Sequence, residues 1–510
     1  MAQRFSAKYV IIGGSVAAVG AIEALRAEDP GSPLALVTED RVSPYSRPLI
    51  SHYLTGERDL DGIRYRPPDF YSRLGVKTFL QTRATRIHFP DHCVHAEGPA
   101  GEAYEITYEK LLLATGSRPA RPPIQGLEAQ GVFSFTSLED AEAIRAFLPR
   151  VKAVVVIGGG LIGLQAAEAL SNLGRQVVVV EFQPRILSPV LDAVASGYVE
   201  QAFAAHGVRI LTSAAAQRVL VDSAGSVAGV ALKDGQVLPC QMVIVAAGVT
   251  PRTELAGAGF APAPAPGAPR AIGVDERMQV QADLQASGGA AVYAAGDAAL
   301  GPDLLSGAAR PLPIWPNAYL QGRVAGLNMA GRPTRFRGGL SMNSSHFFGL
   351  PVVSAGLFDV PEGADPQEWE VLTLSADGTP PAAARPGHAP RVGTSSSFAV
   401  RPGARPGRAA ARSGAGPGHP QVPVASGAGP FYRKIILRHG RIVGLVAVGA
   451  GIDRAGVLVG AMANGVDCSR CKEDLLRNPG IAAFPEQVAA AMRTGRFGSH
   501  WWMAGDREER

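Results

Sequence analysis

Residues 153–163 read Ala153-Val154-Val155-Val156-Ile157-Gly158-Gly159-Gly160-Leu161-Ile162-Gly163, run on as an amphipathic segment to Leu173, and return as Gln176-Val177-Val178-Val179-Val180-Glu181. Short β-branched runs bounded by glycine predict buried strands, and the segment between them predicts a helix crossing back over the sheet. Gly158, Gly160 and Gly163 are spaced G-x-G-x-x-G. In such a turn the first glycine lets the backbone reverse tightly, the second lets it approach a pyrophosphate, and the third lets the helix pack against the strand. The helix then offers free N–H groups and the positive end of its dipole to the phosphates. Glu181 follows at the distance, about 20 residues on, where a carboxylate accepts hydrogen bonds from an adenosine ribose.

Working outward, a second unit of the same kind stands at the N-terminus. It reads Tyr9-Val10-Ile11-Ile12-Gly13-Gly14-Ser15-Val16-Ala17-Ala18, continues as a helical pattern to Glu28, and returns through Leu34 to Glu39. Gly13 fills the first place, Ser15 the second and Ala18 the third. Alanine is accepted at the third place; serine at the second is a departure, whose side chain faces the incoming phosphate and whose hydroxyl can donate to it. A single glycine turn after a strand has purely structural uses. Two copies, each with an acid in register, predict two bound dinucleotides. At Glu181 the charge also discriminates, because a 2′-phosphate about 5 Å away meets about 3 kcal/mol of repulsion per charge at an effective dielectric near 20. NADH is therefore expected over NADPH unless Arg185 swings in to neutralise the added phosphate.

Further strands are expected at Lys110–Ala114, Val208–Leu211, Gln241–Ala246 and Ala291–Ala294, and the alternation with helices predicts an α/β chain with two doubly wound, Rossmann-like folds. Beyond Asn328, strand patterns at Trp369–Leu374, Tyr432–Leu437 and Ile442–Val448, with His439-Gly440 as a hairpin turn, predict a small α+β domain. The window 375–428 holds nine Gly, nine Pro and six Arg against one Asp, an excess of +5 equal to the net charge of the whole chain. It is expected to be a disordered insertion, and with the basic balance confined there, no nucleic-acid partner is expected.

No uninterrupted apolar run of about 18 residues predicts a membrane span. Met1–Lys8 leads straight into Tyr9–Ile12 without the pattern of a signal peptide, and a cytoplasmic location is expected. Cys93, Cys240, Cys468 and Cys471 are too few for a disulfide-stapled scaffold of 510 residues. Cys468-x-x-Cys471 has no second pair to complete a four-sulfur site, so no metal is expected and the pair reads as coincidental.

Tyr108-Glu109-Lys110-Leu111-Leu112-Leu113-Ala114-Thr115-Gly116-Ser117-Arg118-Pro119, the two glycine turns, Ala246-Ala247-Gly248-Val249-Thr250-Pro251 and Val292-Tyr293-Ala294-Ala295-Gly296-Asp297 stand in the order found in FAD- and NAD(P)H-dependent pyridine nucleotide-disulfide oxidoreductases. The chain resembles that superfamily over residues 1 to about 330. Ser341-Met342-Asn343-Ser344, Phe347-Phe348-Gly349-Leu350-Pro351 and 432–476 resemble the small domain of rubredoxin reductase and nitrite reductase relatives. The resemblance implies an FAD-binding domain from 1–117 and 250–327, an NAD-binding domain from 118–249, a C-terminal domain from 328–374 and 429–485, and a tail at 486–510. It implies FAD on the first cradle and NADH on the second, with Gly248 among the cofactor contacts. Asp297 would bond the ribityl and pyrophosphate region, and Thr115-Gly116 would close over the FAD.

Disulfide reductases of this superfamily carry cysteine just after the first acid, but here that region reads Ser43-Pro44-Tyr45-Ser46-Arg47-Pro48-Leu49-Ile50-Ser51. Electrons must leave from the flavin itself. The run resembles the Arg-Pro-Pro-Leu-Ser-Lys segment of ferredoxin and rubredoxin reductases, which implies that Arg47 holds the flavin's anionic side and places His52 where the family has lysine. Gln165 stands where many relatives have a glutamate facing the nicotinamide, and Trp315 matches an aromatic near the flavin. The expected function is transfer of electrons from NADH through FAD to a small electron-carrier protein of rubredoxin or ferredoxin type. The rival readings are an NADH oxidase, a nitrite reductase-type flavoprotein subunit that needs a partner for its metal centres, and a non-catalytic redox sensor.

Overall fold

The structure, a computed structural model, describes residues 2–257, 271–281, 291–375, 431–450, 452–477 and 484. Apart from Ser375, the expected insertion at 375–428 and the tail at 486–510 lie outside the described residues.

The N-terminal glycine turn sits in a sheet whose parallel strands run in the order Val76–Phe79, Leu34–Val37, Gln3–Ile12, Ala103–Leu113 and Ala291–Ala294. Ala103–Leu113 shows why the sequence pattern changes along one strand. Its first half alternates exposed and buried residues and pairs antiparallel with Cys93–Glu97, which pairs in turn with Arg83–His88. Its last three residues, Leu111, Leu112 and Leu113, are wholly buried and pair with Ala291–Ala294. Antiparallel strands tolerate water on one face, whereas parallel strands are covered on both. Sequence periodicity predicts only the second half, because Ala103-Tyr104-Glu105-Ile106 is too polar to signal a core strand.

On this sheet the helix Val16–Glu28 packs against the helix Trp315–Met329. Their axes come close because Gly20, Gly322 and Gly326 lie in the contact: a methyl group on Gly322 would overlap the Ala17 carbonyl, and one on Gly20 the Tyr319 carbonyl.

The second glycine turn lies in an all-parallel sheet in the order Arg209–Leu211, Gln176–Val180, Ala153–Ile157, Met242–Val245 and Val132–Phe133. The helix Leu161–Asn172 buries Leu164, Ala166, Ala167 and Leu170 in the same core as Val156, Val179 and Ile244. The other face, through Val155, Val180 and Val243, meets a three-stranded antiparallel sheet of Ala216–Val221, Val227–Leu232 and Val237–Pro239. The two passages between the parallel sheets, Ser117–Pro119 and Val249–Pro251, pair as an antiparallel ribbon.

The C-terminal sheet is antiparallel, in the order Met342–Phe347, Leu350–Gly356, Arg441–Gly449, Phe431–Arg438 and Trp369–Ser375. His439 and Gly440 both take positive φ, 48° and 73°, as a two-residue hairpin turn requires. Alternation gives the sheet two buried faces. Phe347, Val352, Tyr432, Val446 and Val448 join the core of the second parallel sheet, while Val353, Ile435, Leu437 and Leu445 pack on the helix Ala455–Ala463. Among the described residues no helix is long and apolar enough to cross a membrane.

Replacing a helical glycine by alanine ordinarily stabilises by about 1 kcal/mol. At Gly322 the added methyl has only the Ala17 backbone to occupy, so Gly322→Ala should instead destabilise by about 1–3 kcal/mol, the range for overpacking. Urea unfolding midpoints of the two proteins check this.

Candidate functional site

Each parallel sheet ends in the same local construction. After Ile12 the chain turns at Gly13, φ 106°, so close to the neighbouring strand that a Cβ would overlap the Ala114 carbonyl. Ser15 then takes the N-cap of Val16–Glu28 in extended conformation, and its hydroxyl makes no capping bond to that helix. Ala18 is completely buried at the packing position. In the second unit Gly158 turns at φ 113° against the Ala246 carbonyl, and a Cβ on Gly163 would overlap the Gly158 carbonyl. Gly160 differs: it is the N-cap of Leu161–Asn172, and a Cβ there meets nothing within 4 Å. Packing requires the outer two glycines, whereas the middle one borders open space, as a cradle for a bound phosphate does. Neither helix has an acid in its first turn, so no carboxylate competes for the positive ends.

The two strand-end acids are held differently. Glu39 is exposed, with Arg252 Nη1 donating to it at 2.8 Å and Arg83 forming an ion pair with it at 3.5 Å. Glu181 accepts from the Gly159 N–H at 2.5 Å with one oxygen and from the Gln183 N–H at 2.7 Å with the other. Arg185 does not reach toward Glu181. It donates to the carbonyls of Leu191 and Ser188 at 3.2 and 3.3 Å, and its guanidinium lies 5.9 Å from the centroid of the Phe358 ring. Phe182, next to Glu181, is 70 % exposed.

Asp297 is brought to the first cradle by the return of Ala291–Ala294 to the sheet. Gly296, at φ 80°, accepts no larger residue cheaply because a Cβ would come within 3.3 Å of Ala17, the second residue of the cradle helix. Burial pushes the Asp297 carboxyl above its ordinary value, against the pull of the Ser117 hydroxyl, which donates at 2.7 Å, and of Arg47. Arg47 donates to the Thr136 carbonyl at 3.1 Å and pairs with Asp40 at 3.4 Å. Burial opposes its charge, but Tyr45, Asp40, Asp297 and Glu139 outweigh it and push its pKa up. The Arg47 side chain is nonetheless 39 % exposed, so it is not enclosed in a core. The Thr115 hydroxyl donates to the Arg252 carbonyl at 2.7 Å, and Gly116, φ 68°, accepts from the Arg252 N–H at 2.9 Å. Gly248, φ 99°, accepts from the Ala120 N–H. Gly116 and Gly248 both border open space.

The remaining candidates are less tightly gathered. His52 pairs through Nδ1 with Glu57 at 2.7 Å and is 42 % exposed. Trp315 starts its helix and packs edge-on against Tyr65, ring centroids 5.1 Å apart. Gln165 is half-buried on Leu161–Asn172. One turn further, Glu168 accepts from the Phe348 N–H at 2.6 Å; burial pushes its carboxyl up while His52 and His206 draw it down. Glu168 escapes the sequence reading, although its i+3 spacing from Gln165 puts the two near one helix face.

All four cysteines are free and buried. Burial pushes Cys240 up to about 11 and Cys468 up to about 12, and raises Cys93 and Cys471 as well. A buried thiol held protonated is a poor nucleophile. Among the described residues no group of three or more His, Cys, Asp or Glu is placed to hold a metal.

Two glycine turns at helix N-termini, an acid after the next strand of each, and a charged cluster around Arg47 and Asp297 are the arrangement a dinucleotide-dependent oxidoreductase requires. The family model for pyridine nucleotide-disulphide oxidoreductases matches residues 7–322, and the chain belongs to that family as an FAD-dependent NAD(P)H oxidoreductase. It is 35 % identical over 362 residues to the NADH-dependent phenylglyoxylate dehydrogenase subunit epsilon of Aromatoleum evansii, covering 70 % of this chain and 81 % of that one. It is 32 % identical over 326 residues to a rubredoxin-NAD(+) reductase of Pseudomonas putida, covering 64 % and 80 %. The fold matches the solved covalent putidaredoxin reductase–putidaredoxin complex with a TM-score of 0.72 at 22 % identity, over 96 % of this chain and 99 % of that one.

Because Asp297 binds its proton more tightly in the folded chain, folding is favoured below the ordinary carboxyl value of 3.8 and loses that contribution as pH rises through the raised value. In cofactor-free protein, Asp297→Asn should therefore change stability little near pH 3.5 and raise it at pH 7. Unfolding midpoints at the two pH values check the sign.

Proposed function

We propose that the chain passes electrons from NADH through FAD to a small one-electron carrier protein of rubredoxin or ferredoxin type. FAD, when bound, takes up a hydride and gives up electrons singly, which is the conversion such a carrier needs. On this reading the first cradle, with Gly13, Ser15 and Ala18, holds the FAD pyrophosphate at the start of Val16–Glu28. Glu39 takes its ribose, and Asp297, Arg47, Thr115 and Gly116 line its inner end. The second cradle, with Gly158, Gly160, Gly163 and Gly248, holds NADH. Glu181 stands at the adenosine ribose, and Arg185, tied to two carbonyls, is not turned to offset the repulsion of a 2′-phosphate, which supports NADH over NADPH. His52, Gln165 and Trp315 remain proposed neighbours of the reacting rings.

One observation carries the acceptor: every cysteine thiol is buried and free, with its pKa raised, and none stands in the stretch just after the first acid, Glu39. A thiol relay is thereby disfavoured, and a direct exit from the flavin is what a carrier protein uses. The likeness to a rubredoxin-NAD(+) reductase supports the same reading. The likeness to a dehydrogenase subunit favours a second form of it, in which the one-electron acceptor is a partner subunit. Anaerobic NADH titration followed by addition of rubredoxin or ferredoxin tests the proposal. Bleaching of the flavin spectrum and its recovery on adding carrier are expected, whereas reoxidation by oxygen alone, with every carrier inert, would overturn it. Replacing Cys468 and Cys471 by serine should leave turnover within about twofold, since neither thiol is placed to react.

Gly160→Ala separates binding from folding. Its methyl meets no protein atom, so the melting temperature should hold, while the KM for NADH should rise at least about tenfold if the pyrophosphate occupies that space.

A further inference from the structure

We infer that the C-terminal sheet fixes the shape of the adenosine end of the NADH site, with Tyr432 and Lys434 as positioning residues that act through Asp192. The inference rests on the reading of the second cradle as the NADH site.

The segment from Glu181 to Asp192 joins the strand-end acid to the helix Ala193–Ala205. Its near end is held by the cradle: Glu181 accepts from Gly159, and the Leu187 N–H donates to the Gly159 carbonyl at 2.9 Å. Leu187 is 2 % exposed and has φ 52°. A branched, non-glycine residue keeps a left-handed conformation only where its surroundings over-determine it. Ser196 Oγ adds a bond to the Ile186 carbonyl at 2.8 Å. The shape of this segment is thus imposed on it by its neighbours.

Its far end is held by the C-terminal sheet. Asp192 Oδ1 caps Ala193–Ala205 by accepting from the Ala195 N–H at 2.9 Å. The other oxygen accepts from Tyr432 Oη at 2.6 Å and lies 3.3 Å from Lys434 Nζ, which also reaches Asp359 at 3.2 Å. Tyr432 and Lys434 are two residues apart on one strand and so face the same way. Asp192 and Lys434 are each 7 % exposed and Tyr432 2 %. A buried ion pair is poor evidence for stability, because desolvation consumes most of the attraction; its best attested use is to fix one arrangement against alternatives. Here the arrangement fixed is that of a segment whose first residue is the ribose acid. Phe358, from the turn after Leu350–Gly356, adds a second contact by lying beneath Arg185.

The test uses the FAD-loaded enzyme with ferricyanide as acceptor. In Tyr432→Phe the ring stays but the bond to Asp192 goes. The KM for NADH and the inhibition constant of ADP-ribose, which reports the adenosine end alone, should rise together by about tenfold, the size of one hydrogen bond to a charged group. FAD content and kcat at saturating NADH should stay within about twofold. Phe358→Ala should move the same two constants in the same direction, and it decides the question if Tyr432→Phe does not fold. Lys472→Met, which breaks the Lys472–Glu370 pair beside the Cys471 and Leu475 core, should leave both constants unchanged. Unchanged constants in Tyr432→Phe or, failing its folding, in Phe358→Ala overturn the inference. So does an equal rise in Lys472→Met, which would mark general loosening of the sheet. A wild-type flavin that NADH does not reduce would instead overturn the functional reading itself.

Discussion

The constraint on which the rest depends is that backbone must meet backbone with no side chain between. At Gly13 and Gly158 the chain leaves a strand and turns against the carbonyl of the strand beside it, and at Gly163 a helix presses on the same turn. These contacts bring the first N–H groups of Val16–Glu28 and Leu161–Asn172 to the end of their sheets, where on the proposed reading the positive ends of both helices would meet the cofactor phosphates. The other candidate residues are placed relative to those two ends: the acids one strand over, Asp297 two strands to the other side of the first turn, and the ribbon of Ser117–Pro119 with Val249–Pro251 between the sheets.

That geometry explains what was legible in the sequence. A glycine turn, its flanking strands and the acid that follows lie within some 30 residues, so local pattern is enough, and the helix Val16–Glu28 and the strand Ala291–Ala294 fall where the pattern puts them. The two doubly wound sheets follow from the same signals. The antiparallel pieces, Arg83–Glu97 and Ala216–Pro239, were not legible, because half-exposed strands of mixed polarity carry little periodic signal. Nor could the sequence bring Arg47 and Asp297 together. They are 250 residues apart, and come within electrostatic reach of each other once Ala291–Ala294 docks beside Leu111–Leu113. Glu168 and Asp192 were missed for a related reason: what gives each its place is a partner from the C-terminal sheet, Phe348 in one case and Tyr432 in the other.

What is kept away from the charges around Arg47 matters as much as the charges themselves. Four thiols are buried, and burial holds them protonated, while Arg47 interacts electrostatically with both Asp40 and Asp297. Fixed charges that are already in place need no reorganisation when electrons move past them. The raised carboxyl of Asp297 is the folding cost of that readiness, which is commonly borne at functional sites.

The pairing of Ser375 with Tyr432 has a consequence for how the chain can vary. The two strands are separated in sequence by residues 376–430, and the entropy lost in joining two ends grows only as the logarithm of the length between them, about 0.6 kcal/mol for each doubling. On length alone, halving or doubling this connection would therefore change the closure cost of the pairing by only about 0.6 kcal/mol. Evolution is left free to tune it without disturbing the strand next door, whose tyrosine reaches across to the neighbouring fold.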